Sequence, residues 1–208
     1  MTALFSIAYL PPLSYIHQCL EADKIIIDQH EHFIKQTYRN RCQIYGPNGI
    51  LSLIIPLKHQ NLSHSPLNDT RISFDVPWNK IHWKTICSSY RNSPYFEFYE
   101  DEFKNAFEKP DEYLIDFNYK LLEIIFKNFN LNKTITLSEN FEKVPTLSVD
   151  FRNTFNPKKK IININPYHQV FSDRFGFIND LSCIDYLFNV GSRRESRIKS
   201  QEPRPFNI

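Results

Sequence analysis

Glycine is scarce in this chain, with 4 in 208 residues, and so are methionine, with 1, and cysteine, with 4. With glycine only at 46, 49, 176 and 191, no Gly-rich loop is available to wrap a phosphate in backbone N–H groups. Cys19, Cys42, Cys87 and Cys183 stand far apart and form no CxxC pair, which argues against a structural zinc site. There is no GxSxG elbow and no HExxH; His30-Glu31-His32 is not the latter. No stretch approaches the ~20 apolar residues of a membrane helix. The apolar run Ala3–Leu10 lacks a basic leader and stops at Pro11-Pro12, so it reads as a strand and not as a signal peptide. An excess of one charge is missing too: 25 Lys and Arg face 23 Asp and Glu, for a net charge of +2. A nucleic-acid binder would concentrate basic residues, whereas Lys158–Lys160 and the tail from Arg193 read as a solvated turn and a chain end. The expectation is a cytoplasmic protein with reduced thiols, no metal, no cofactor, no nucleic-acid partner and no membrane span.

What is abundant is aromatic: 15% of residues, including 18 Phe and 11 Tyr. Hydrophobic residues at 41% and charged residues at 23% are ordinary for a globular protein with a real core. The most informative stretch is Asp28–Cys42, which gathers Asp28, His30, Glu31, His32, Lys35, Tyr38, Arg39, Arg41 and Cys42 between two apolar segments. Burying unpaired charge costs several kcal/mol, so charges of both signs wedged between buried strands need partners. That makes the run the default binding or active site.

Ala3–Leu10, a helix opened by Pro12 with Leu13, Ile16, His17 and Leu20 on one face, and the Ile-rich Lys24–Asp28 together predict a βαβ unit. In parallel sheets the ligand crevice lies beyond the carboxyl ends of the strands, where both the Leu10-Pro11-Pro12 turn and the Asp28 run fall. Asn48-Gly49 signals a hairpin. Arg71–Asp75 reads as a short strand, Trp78 to about Leu131 as helical, and Pro110 as the start of the best helix, with Leu114, Phe117, Leu121, Leu122, Ile125 and Phe129 as its core stripe. Thr134–Leu137 and Ile161–Ile164 are further strand candidates. Residues 140–160 are poorly patterned, and Leu181–Phe188 reads as a helix capped by Gly191. The expected class is α/β: an N-terminal Rossmann-like βαβ unit with a hairpin and a helical C-terminal half. Residues 1–192 form a single domain, and 193–208 form a disordered tail.

Leu10-Pro-Pro-Leu-Ser-Tyr15, Glu31–Arg41, Gly49 with Leu53–Pro56, His82-Trp83, Tyr90–Phe96, Asp116–Asn118, Tyr167–Phe171 and Leu181-Ser182 to Gly191 follow one another as in the WbqC-like family of bacterial proteins, which the chain resembles. The resemblance implies a role in surface polysaccharide (lipopolysaccharide O-antigen) synthesis and supplies no catalytic residues.

Several groups could carry chemistry. Arg39 and Arg41 straddle Asn40, so in an extended chain one of them faces the crevice, where a guanidinium fork would hold phosphate or carboxylate. The alternative is a structural pair with Asp28 or Glu31. His30, Glu31, His32 and Asp28 could supply a base or a metal ligand, or form a hydrogen-bonded network. His82 lies on the helix face of Ile86 and Tyr90, as either a site residue or a satisfied core histidine. Tyr90, Asn92 and Tyr95 flank Pro94 and could line the same crevice. Cys42 reads as a small buried residue more readily than as a nucleophile. The leading expectation is a transferase acting on a nucleotide-linked sugar or other phosphorylated ligand. In it Glu31 or His82 is the base, Lys35 or Asn40 orients the substrate, and Asp28, Tyr38, Arg39, Arg41, Tyr90 and Tyr95 complete the binding set. The alternative is a non-catalytic carbohydrate-binding or assembly component of the same pathway.

Overall fold

The computed structural model describes residues 1–58, 65–158, 162–192 and 204–205. It is a mixed α/β fold. Strand β1 (Thr2–Ser6), helix α1 (Leu13–Glu21) and strand β2 (Lys24–Asp28) form the expected parallel βαβ unit, with Ser6 level with Asp28 at the carboxyl edge. Alternation along the strands sorts their side chains. Ala3, Phe5, Ile25 and Ile27 are fully buried on one face, Phe5 against Tyr15 of α1, whereas Leu4, Ser6, Lys24, Ile26 and Asp28 point to the other.

The hairpin β3 (Arg41–Gly46) and β4 (Gly49–Ile54) forms where expected, with its turn one residue earlier. Gly46 pairs with Gly49, so the loop residues are Pro47 and Asn48. Proline presets the first turn position, and Gly49 takes φ +100°. Helices α2 (Trp78–Tyr90), α3 (Phe96–Glu108) and α4 (Leu114–Asn128) follow, α2 and α3 being separated around Pro94. Helix α4 starts four residues after Pro110. The intervening residues bridge the 70–72 segment instead: the Ile72 amide donates to Glu112, the Leu114 amide to Thr70, and Arg71 bridges Tyr113. Arg71–Asp75 accordingly makes isolated bridges and no strand.

Strands β5 (Ile135–Leu137) and β6 (Val149–Asp150) complete a four-stranded parallel sheet in the order β5-β2-β1-β6. Their connection, residues 138–148, carries no helix. β7 (Ile162–Asn163), α5 (Ser172–Phe175), α6 (Cys183–Val190) and β8 (Arg204–Pro205) follow, with β7 antiparallel to β8 and Gly191 capping α6 at φ +79°. Apart from residues 204–205, the tail expected at 193–208 lies outside the described residues. Among the described residues no helix is long and apolar enough to cross a membrane.

Candidate functional site

The polar run folds as an irregular loop from the end of β2 to the start of β3, and the charges of Asp28, Glu31 and Arg39 find partners at the sheet's carboxyl edge. Asp28 Oδ1 accepts the backbone N–H of His30 and of Glu31 at 3.0 and 3.1 Å, and the Ser138 hydroxyl at 3.2 Å. Asp28 Oδ2 accepts Arg152 Nη1 at 2.7 Å. Glu31 takes a two-pronged bond from Arg39, with Nε to Oε1 at 2.9 Å and Nη2 to Oε2 at 2.5 Å. Arg39 Nη2 also reaches Ser6 Oγ at 2.6 Å, and Ser6 donates to the Arg152 carbonyl at 2.8 Å. The four charged side chains are 1–7% exposed. Burial pushes the Glu31 carboxyl up from its ordinary value, against the pull of Arg39.

Arg152 was not legible as a site residue, because β6 falls in the poorly patterned stretch. It joins the two ion pairs and holds the β5–β6 connection. Nε and Nη2 bind Asp150 at 2.9 and 2.6 Å, Nη1 also donates to the Glu142 carbonyl at 2.8 Å, Nη2 to that of Lys143 at 3.4 Å, and the guanidinium lies over the Phe141 ring. All five N–H groups of a guanidinium are thereby used. Arg39 differs. Its Nη1 carries two N–H groups, and among the described residues its one partner is Thr37 at 3.3 Å.

The two arginines meet where the sheet reverses. The chain runs outward from β1 to β2 and β5, then returns to the other side of β1 as β6. In open parallel sheets such a switch point, at the carboxyl ends, is where ligands bind. Here it holds a small cavity of about 10 Å³, room for about one water, lined by Ser6, Ala8, Tyr15, Tyr38, Arg39, Phe151, Arg152 and Phe155 among others. Phe151 and Phe155 are its least buried lining side chains. The turn leaving β1 holds fully buried Leu10 at φ +41°, a costly conformation for a branched residue.

The other sequence-predicted residues lie elsewhere. His82 does not line this cavity: its Nδ1 pairs with the Tyr9 hydroxyl at 2.9 Å, it bonds the Ile54 backbone, and Trp78 packs edge-on against it. Burial lowers its pKa to about 4, so the imidazole is neutral. The Tyr90 hydroxyl accepts the Tyr45 N–H at 3.0 Å and belongs with buried Asp185, which also receives Tyr167 at 2.6 Å and Gln169 at 2.9 Å. The expected meeting of Glu31 with His82 and Tyr90 across one crevice therefore does not occur, because each group closes its own hydrogen bonds. Tyr95 packs on Gly191, Asn40 donates to the Ile55 carbonyl at 2.9 Å, Arg41 is half-buried at the start of β3, and Lys35 is exposed. Cys42 is fully buried and its thiol pushed up by burial.

The WbqC-like protein family matches residues 8–156, more than half of the chain, and so contains the βαβ loop, the hairpin, the three long helices and Arg152. The chain belongs to the WbqC-like protein family. No curated protein and no solved structure matches it. In this WbqC-like protein Asp28, Glu31, Arg39 and Arg152 of the switch point fall within the matched segment, whereas β1 with Ser6 precedes it. Among the described residues no three His, Cys, Asp or Glu side chains gather as a metal-binding group.

Proposed function

We propose that this protein holds an activated, phosphorylated sugar at the crevice between the carboxyl ends of β1 and β6, as a component of bacterial surface polysaccharide (lipopolysaccharide O-antigen) biosynthesis. The observation that carries the reading is an N–H of Arg39 Nη1, without a partner among the described residues, at a sheet switch point walled by Tyr15, Tyr38, Phe151 and Phe155. A guanidinium N–H donates strongly to a phosphate oxygen. Aromatic walls suit the apolar C–H faces of a sugar or a base. Entry requires Phe155 to swing outward, since the cavity is small.

In a transferase Glu31, paired with Arg39 beside the crevice, would be the group that takes a proton from an acceptor hydroxyl. A binding component without chemistry would use the same Arg39 contact and leave Glu31 paired.

Thermal shift and titration calorimetry with nucleoside-diphosphate sugars and sugar 1-phosphates separate these outcomes. The proposal expects a phosphorylated sugar to raise Tm, and Phe155→Ala, which clears the entry, to bind it at least as tightly as the parent while the far-UV dichroism stays unchanged. Turnover lost in Glu31→Gln with binding retained identifies the transferase. Stabilisation by none of the phosphorylated sugars overturns the proposal.

A further inference from the structure

Parallel sheets are ordinarily covered on both faces. Here, among the described residues, the connection 138–148, which carries no helix, lies against the even-numbered face and leaves Ile26 and Thr136 half-buried and Lys24 exposed. Between sheet and connection lies a groove of about 370 Å³, within the range of small-molecule sites. Its floor is Leu4 and Ile26, Leu137 lines it at the end of β5, and its polar lining is Lys24, Thr136, Ser138, Glu139, Asn140, Glu142 and Ser148.

We propose that this groove is a second ligand site, separate from the switch-point crevice, taking a neutral, hydroxyl-rich ligand of mono- to disaccharide size. The lining selects that class. Among the described residues the side chains of Glu139, Asn140 and Glu142 hold no hydrogen bond, so two carboxylates and an amide face the groove with their capacity unused. Vicinal hydroxyls donate to carboxylates and bridge to amides, while the apolar floor accepts a ring's C–H face. A phosphorylated ligand is disfavoured, because two carboxylates outnumber the one lining cation, Lys24. An added peptide strand is disfavoured as well, because strand addition pairs in the plane of a sheet at its edge, whereas this groove lies on the face, over interior β1 and β2. The site stands whether or not the crevice takes a phosphorylated sugar.

Amide chemical shifts of the full ¹⁵N-labelled chain, titrated with lactose, maltose and cellobiose at millimolar concentration, test the assignment. At least one disaccharide should produce saturable shifts at Thr136, Ser138 and Asn140. Both Asn140→Ala and Glu139→Gln, at exposed positions, should weaken it about five- to tenfold, the scale of one lost hydrogen bond, with the rest of the spectrum superimposable. The site is overturned by absent or non-saturable shifts with all three sugars, by shifts that map elsewhere, or by variants that bind as the parent does. A salt-sensitive preference for glucosamine over glucose also overturns it, since that would make the groove a simple cation site.

Discussion

Arg152 Nη1 donates to Asp28 Oδ2 at 2.7 Å, joining the ends of β6 and β2 across 124 residues of chain. Both side chains are buried, so removing Arg152 leaves the Asp28 carboxylate with its hydrogen bonds but without its ion-pair partner. Arg152→Ala should cost about 3–5 kcal/mol in urea unfolding. Arg152→Met with Asp28→Asn should recover part of that loss, because Asn removes the unpaired charge and keeps an oxygen for the His30 and Glu31 N–H groups. Equal losses in the single and double variants would contradict the pairing.

Gly191 and Gly49 both take positive φ, but only Gly191 is crowded. A Cβ at Gly191 would lie 3.0 Å from the Tyr95 ring, whereas at Gly49 it meets nothing within 4 Å. Gly49→Ala should cost about 1–2 kcal/mol of backbone strain. Gly191→Ala should cost about 1–3 kcal/mol more, as overpacking does, read from the same unfolding curves.

His17 and His82 are buried with pKa values lowered to about 4 by desolvation. Below pH 6.5 the unfolded chain gains protons at these positions that the folded chain refuses. Stability should therefore fall as pH drops from 6.5 toward 4, by up to about 3 kcal/mol per histidine. Glu31 and Asp185, raised by burial, act in the opposite sense, since the folded state binds their protons first as pH falls. The difference between parent and His82→Gln isolates one term: the variant should be the less stable near pH 7, and the gap should narrow by pH 4. A gap independent of pH would contradict a neutral buried His82.

Of the four thiols only Cys87 is partly exposed; Cys19, Cys42 and Cys183 are buried and pushed up in pKa by desolvation. Brief maleimide treatment of the native protein should label Cys87 alone by peptide mass spectrometry, and all four after denaturation.

The βαβ unit was legible because its signals are local: an apolar strand, a proline at a helix start and an Ile-rich strand ending in a carboxylate. The buried pairing of Arg39 with Glu31 was legible as one of two alternatives, since a charged run between buried strands must find partners. Arg152 was not, because a two-residue strand carries no period and its position beside β1 comes from pairing alone. A hint was available in Val149-Asp150-Phe151-Arg152, an alternation of apolar and charged residues too short to weigh. The start of α4 was misplaced because tertiary bridges to residues 70–72 override a favourable proline. His82 follows its helical face into the core, where Tyr9 and the Ile54 backbone satisfy it, and no spacing rule indicates which distant hydroxyl will do so.

The most direct test of the account is a co-crystal structure with the tightest-binding nucleoside-diphosphate sugar. It should show a phosphate oxygen within hydrogen-bond distance of Arg39 Nη1, Phe155 swung from its place, and Arg152 still bound to Asp28 and Asp150. A ligand seated away from β1 and β6, or a crevice still closed around Phe155 with ligand bound elsewhere, would contradict it.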